Sequence, residues 1–222
     1  MTDMLTAPRR VHSAAPASRS AARWSVAGGV VAGPLFLAAG LAQGVARDGF
    51  DFTRNAISQL ALGETGWIQT ASFLLTGALL VAGAAGLRRA LLGGRGATWG
   101  PVLVGVFGLS FWVAAAFPAD PGAGFPAGTP EEAAISGHGA VHMAAGMIGY
   151  LALCAAFVVL ARPLAARGLR GWAVASRVVP VAVLTGFMAS AVSVLAFTAG
   201  AGLGLLWLSA VTARLADAPA ER

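Results

Sequence analysis

Lysine is absent from this sequence, so all fifteen basic positions are arginines, and charged residues of both signs make up only 11% of the chain. A soluble domain carries roughly 25% charged residues. A chain so poor in charge, and 57% hydrophobic, cannot cover its surface in water, which leaves a polytopic membrane protein. Cysteine is scarcer still. The single Cys154 excludes an internal disulfide, and its place in an apolar run makes it a small packing residue. The net charge of +6 would point to nucleic acid only if the arginines clustered on a folded polar surface. They lie in short segments between apolar runs, so no nucleic-acid partner is expected. Charge is also missing from the middle of every apolar run, and no internal repeat is visible. Both absences weigh against ion channels and coupled carriers.

What the sequence has is apolar length. Six runs stand at about 24–46, 66–87, 99–117, 140–161, 178–198 and 202–215. The first five are long enough to cross a bilayer as helices. The sixth, "GLGLLWLSAVTARL", is short and must borrow from "AFTAGA" before it or tilt little. The expected fold is all-α: a six-span transmembrane bundle over 24–215, between a disordered Arg/Ala/Ser-rich tail (1–23) and a short tail (216–222). The run Val26–Ala46 is too long for a cleaved signal, and Arg9 and Arg10 are too far from it for a twin-arginine signal. Small residues in "GALLVAGAAG" and "MAAGMIGYLA" let spans approach closely.

Charge sets the expected orientation. Only Arg47 and Arg54 fall on one side, beside Asp48, Asp51, Glu64, Asp120, Glu131 and Glu132; the remaining arginines fall on the other. By the positive-inside rule the arginine-rich side, with both termini, is cytoplasmic. Trp67 then marks the outer interface and Trp24 and Trp99 the inner one. Trp112 and Trp207 lie deeper, as packing anchors or cavity walls.

Reactive side chains gather in two outer loops. In "RDGFDFTRNAISQLALGETGW", 47–67, Asp51 can cap a short interfacial helix with Phe52, Ala56, Ile57 and Leu60 on one side and Gly63 at its end. Asp51 and Arg54 can pair on the polar side, near Asn55 and Ser58. In "FPADPGAGFPAGTPEEAAISGHGAVH", 117–142, Asp120 sits just outside the third span. His138 and His142, four apart on one helix face, enter the fourth.

Two readings of this cluster stand side by side. In one, His138, His142 and Asp120 bind a zinc-like ion with an open water position. Asp51 and Ser58 then orient substrate or move protons, in hydrolysis of a lipid ester, amide or phosphate. That set looks like the intramembrane hydrolases of the alkaline ceramidase kind, which use three histidines; His12 lies in the tail and cannot supply the third. In the other, His142 bonds Asp120 and pins the loops. Arg54, Asn55 and Trp67 then contact membrane lipid or another amphiphile, in a non-catalytic or accessory role. A small-molecule carrier is a third, weaker possibility.

Several stretches resemble one family. "FDFTRNAISQLALGETGWIQTASFLLTGALLVAGAAGLRRAL", "FPADPGAGFPAGTP", "HGAVH" and "RGWAVASR" are together similar to the bacterial and archaeal integral membrane proteins named domain of unknown function 998 (DUF998), over roughly residues 25–215. The resemblance implies a six-span bundle in a bacterial cytoplasmic (inner) membrane and carries no established activity. A Gly followed by a Glu-Arg pair before the last span, present in many members, is replaced here by "AFTAGAGLG".

Overall fold

The computed structural model describes residues 16–217 except 92, 95 and 133, with side chains from Trp24 onward. The tail at 1–15, with Arg9, Arg10 and His12, lies outside the described residues, as do Arg95 and 218–222. Six helices follow one another: α1 (Pro16–Ala46), α2 (Gly66–Ala90), α3 (Trp99–Ala116), α4 (Gly137–Ala166), α5 (Arg170–Met188) and α6 (Val194–Asp217). Each is long and apolar enough to cross a membrane. The expected all-α, six-span bundle is the fold.

Boundaries differ from expectation most at the fifth span, where α5 runs Arg170–Met188 rather than about 178–198 and ends in a 3-10 turn, Ala189–Ala191; three others have local reasons. α1 begins at Pro16, inside the segment expected to be a disordered tail, although its apolar span starts at Trp24. The alanines after Pro16 favour helix. α4 begins at Gly137 because the Ser136 side chain accepts from Gly139 N at 3.0 Å, an N-cap. α6 starts at Val194 and so includes "AFTAGA", which gives the sixth span its length.

Each helix packs on the next, and α1 packs on α6 to close a ring. The long connections 47–65 and 117–136 and the α5–α6 elbow lie at one end; the shorter connections lie at the other, with Arg88, Arg89, Arg162, Arg167 and Arg214. The arginine-rich end holds much of the buried core. Leu153, Phe157, Leu160, Leu164, Leu208, Val211 and Leu215 are each at most 1% exposed there. Arg167 closes it, donating to the carbonyls of Leu215 at 2.6 Å and Ala90 at 3.2 Å, the last carbonyls that α6 and α2 cannot satisfy themselves. Trp172 stacks on Trp207 at 5.1 Å, and Trp207 Nε1 donates to Ser176 Oγ at 3.1 Å. Trp112 Nε1 donates to the Leu74 carbonyl at 2.9 Å. The deep tryptophans are packing anchors. Cys154 is buried, with Sγ against the Pro180 carbonyl.

Small residues set the helix spacing. A Cβ on Gly83 would lie 2.5 Å from Gly29 Cα, so α1 and α2 meet backbone to backbone. Gly83→Val is expected to push them apart and lower unfolding free energy by about 2 kcal/mol, the usual scale of overpacking. A melt in detergent with an unchanged midpoint would contradict this packing.

Candidate functional site

The two long loops form one lid over the hollow end of the ring. Asp51 begins it as expected of a cap, with Oδ1 accepting from Thr53 N at 2.8 Å and Thr53 Oγ1 at 2.7 Å. The helix expected after it does not form. Asn55 Oδ1 takes the Asp51 N–H at 2.9 Å and Gln59 Oε1 takes the Ala56 N–H at 3.0 Å. A single turn closes, with Asn55 N on the Asp51 carbonyl at 2.7 Å, and the Gln59 side chain then takes the Ala56 donor that a longer helix would have used. Ala56 is extended, and a short 3-10 turn, Ile57–Ala61, follows. Its Ile57 and Leu60 are 8% and 0% exposed, packed on the bundle rather than on lipid.

The loops are tied to each other by polar bonds. Asn55, 1% exposed, donates to the Gly122 carbonyl at 3.4 Å. That burial removes it from the lipid-contacting role expected of it. Gln59 Nε2 lies 3.3 Å from the carbonyls of Asp120 and Gly122. Arg54 pairs with Glu131 across the loops, not with Asp51 as expected. Both partners are well exposed, so this pair adds little stability.

Arg47, which sequence reasoning treated only as a loop charge, is the main staple. From the end of α1 it donates to the carbonyls of Leu60 at 3.2 Å and Leu62 at 2.7 Å. Its guanidinium also lies 5.1 Å from the centre of the buried Phe125 ring, a cation–π contact. One side chain thereby joins both loops to the ring.

Asp120 fastens the lid to α4, accepting from Ser136 N at 2.8 Å and Ser136 Oγ at 2.5 Å. The Ser136 hydroxyl and N–H, with smaller help from nearby His138 and His142, hold its carboxyl below the usual range despite some desolvation. A Cβ on Gly139 would run into that carboxylate. A depressed carboxylate contributes stability that is complete above its unfolded value, about 3.9, and lost as pH falls through the folded one. Asp120→Asn should therefore melt below the wild type at pH 7. The difference should close in acid below about pH 4; equal midpoints at pH 7 would refute the fastening.

The histidines part company. His138 is exposed, its ring edge-on to Phe117 at 5.4 Å. His142 is 8% exposed, with Nδ1 on the Phe117 carbonyl at 2.8 Å rather than on Asp120. Among the described residues no group of three His, Cys, Asp or Glu side chains could hold a metal. Asp120 is committed to Ser136 through both carboxylate oxygens.

Beneath the lid is a cavity of about 480 Å³. Every helix contributes an aromatic ring around it. Phe36, Phe73 and Phe111 touch one another at 5.2 to 5.9 Å. From Phe111 the contacts run through Phe107 to Tyr150, then Phe187 and Phe197, at 5.2, 5.3, 5.9 and 5.3 Å. Ser58 of the lid lines it with His142, Tyr150, Ser190 and Thr198. The exposed lining residues Met143, Ser190 and Ala191 mark its mouth, between α4 and the α5–α6 elbow. Of the expected site residues, only Ser58 and His142 meet here. Asp51 and Arg54 stay on the outer surface, and Trp67, 69% exposed, stands at the start of α2.

Residues 30–214 match the model of the family described as protein of unknown function (DUF998). The chain belongs to the DUF998 family. No curated protein and no solved structure matches it. With six helices among the described residues long and apolar enough to cross a membrane, this DUF998 chain is a multi-pass integral membrane protein. Arg47, Gln59, Phe125 and Tyr150 escaped the reading of its sequence. The signal for Arg47 was its position directly after a span, where an unpaired cation meets loop carbonyls.

Proposed function

We propose that this DUF998 protein holds an amphiphile in the lidded cavity, in a non-catalytic or accessory role, at the outer leaflet of a bacterial inner membrane. The orientation rests on the arginine-rich end being cytoplasmic. The carrying observation is the cavity's composition: a wall of aromatic rings from all six helices, with hydroxyls of Ser58, Tyr150, Ser190 and Thr198 that have no hydrogen-bond partner in the described chain. Apolar hollows with a few polar groups are the usual form of a ligand site, and these accessible hydroxyls can bond the polar atoms of a ligand.

This moves the lipid-contacting role from the exposed loop cluster, where Arg54, Asn55 and Trp67 were expected to provide it, to the cavity below. The loop polar groups are consumed in holding the lid. A metal-dependent hydrolase would need three converging ligands, and no such group occurs among the described residues. The test is native mass spectrometry of the full chain purified in mild detergent. A lipid-sized adduct near one per chain, removed by harsher detergent and restored by lipid vesicles, supports the reading. A bare chain after incubation with vesicles overturns it.

A further inference from the structure

We infer that the ligand is an uncharged lipid whose head bears a hydroxyl, an inference that rests on the cavity being an amphiphile site. The cavity lining contains no arginine, lysine, aspartate or glutamate. The charged groups closest in the lid are already engaged: Arg47 on two carbonyls and Phe125, Asp120 on Ser136, Arg54 on Glu131. A phosphate or carboxylate head would leave water for a site without a counter-charge, which is costly. A neutral head meets no such penalty.

The polar groups of the wall specify more than neutrality. The Phe117 carbonyl can only accept, so His142 Nδ1 is the donor in their 2.8 Å bond. With Nδ1 donating, Nε2 is an acceptor whenever the ring is unprotonated. His142 lines the cavity, so a ligand that satisfies Nε2 must bring an O–H or N–H. The Ser58, Tyr150, Ser190 and Thr198 hydroxyls can both donate and accept, which suits a head of hydroxyl and ester oxygens. Access is from the membrane. The mouth lies by the elbow between α5 and α6, where Met188 and Val192 are 77% and 88% exposed. An apolar chain can therefore enter sideways while the lid stays fastened.

The experiment measures binding of tritiated 1-monooleoylglycerol to the detergent-purified full chain, with oleate, oleoyl-lysophosphatidylglycerol and methyl oleate as competitors. Saturation near one per chain is expected, with both anions at least about tenfold weaker as competitors. Methyl oleate, uncharged but without a donor, should also be about tenfold weaker, the scale of one hydrogen bond. His142→Phe should weaken monooleoylglycerol by a similar factor and leave methyl oleate unchanged. If that variant fails to fold, the comparison of methyl oleate with monooleoylglycerol on the wild-type chain decides. Anions that compete as well as monooleoylglycerol or better, or methyl oleate equal to it, overturn the neutral-hydroxyl assignment and leave the cavity site standing. No saturable binding of any of the four overturns both.

Discussion

Arg47→Ala is expected to lower the unfolding free energy by about 3 kcal/mol, from lost charge-assisted hydrogen bonds and a lost cation–π contact. The guanidinium reaches the carbonyls of Leu60 and Leu62 and the face of Phe125 at once. Truncation leaves two carbonyls without their donor and removes one tie between the loops, leaving those of Asn55, Gln59 and Arg54. Arg47→Lys should recover only part of the loss, because an ammonium cannot fork to two carbonyls and cover a ring together. Two measurements check this. The melting midpoint in detergent should fall in the order wild type, Lys, Ala. Tryptic cleavage after Arg54 should accelerate in the same order as the lid opens. A variant that melts lower without faster cleavage would mean that Arg47 stabilises the chain without fastening the lid.

Gly146→Trp is expected to empty the cavity without harming the fold. Gly146 lies on α4 in the cavity wall, and a Cβ placed there meets nothing within 4 Å. The indole can occupy the hollow rather than displace packed atoms, and replacing glycine inside a helix recovers backbone entropy of about 0.5 kcal/mol. Core enlargements normally destabilise, so an unchanged or raised midpoint would itself indicate empty space. Lipid carried through purification should fall at least about tenfold, the effect of losing roughly 1.4 kcal/mol of binding. Retained lipid in a well-folded variant would place the bound molecule on the outer surface of the bundle.

These expectations depend on features of unequal visibility in the sequence. The six spans were legible because apolar length and the scarcity of charge are direct physical demands of a bilayer. Asp51 was legible as a capping residue, because a short carboxylate bonds nearby backbone N–H groups wherever it sits. The helix after it was not. Beyond a single turn it lost to the amide side chain of Gln59, whose competition for the backbone depends on contacts with Gly122 and Asp120 some sixty residues away. The spacing of His138 and His142 put both on one helix face, but exposure separates them. α4 starts at Gly137, so His138 stands in the first turn beyond the packed bundle while His142 reaches the wall. The cavity was invisible because it belongs to the ring as a whole. Phe36, Phe73, Phe111, Tyr150, Phe187 and Phe197 come from six different helices, and no spacing along the chain brings them together.

The most direct test of a lipid-holding cavity is photo-crosslinking with monooleoylglycerol that carries a diazirine in its acyl chain, followed by peptide mapping. The account predicts label on the wall and mouth, in peptides containing Met143, Gly146, Ser190 and Phe197, and its loss in Gly146→Trp. Label confined to outward residues such as Leu75 and Leu151, unchanged by Gly146→Trp, would contradict it.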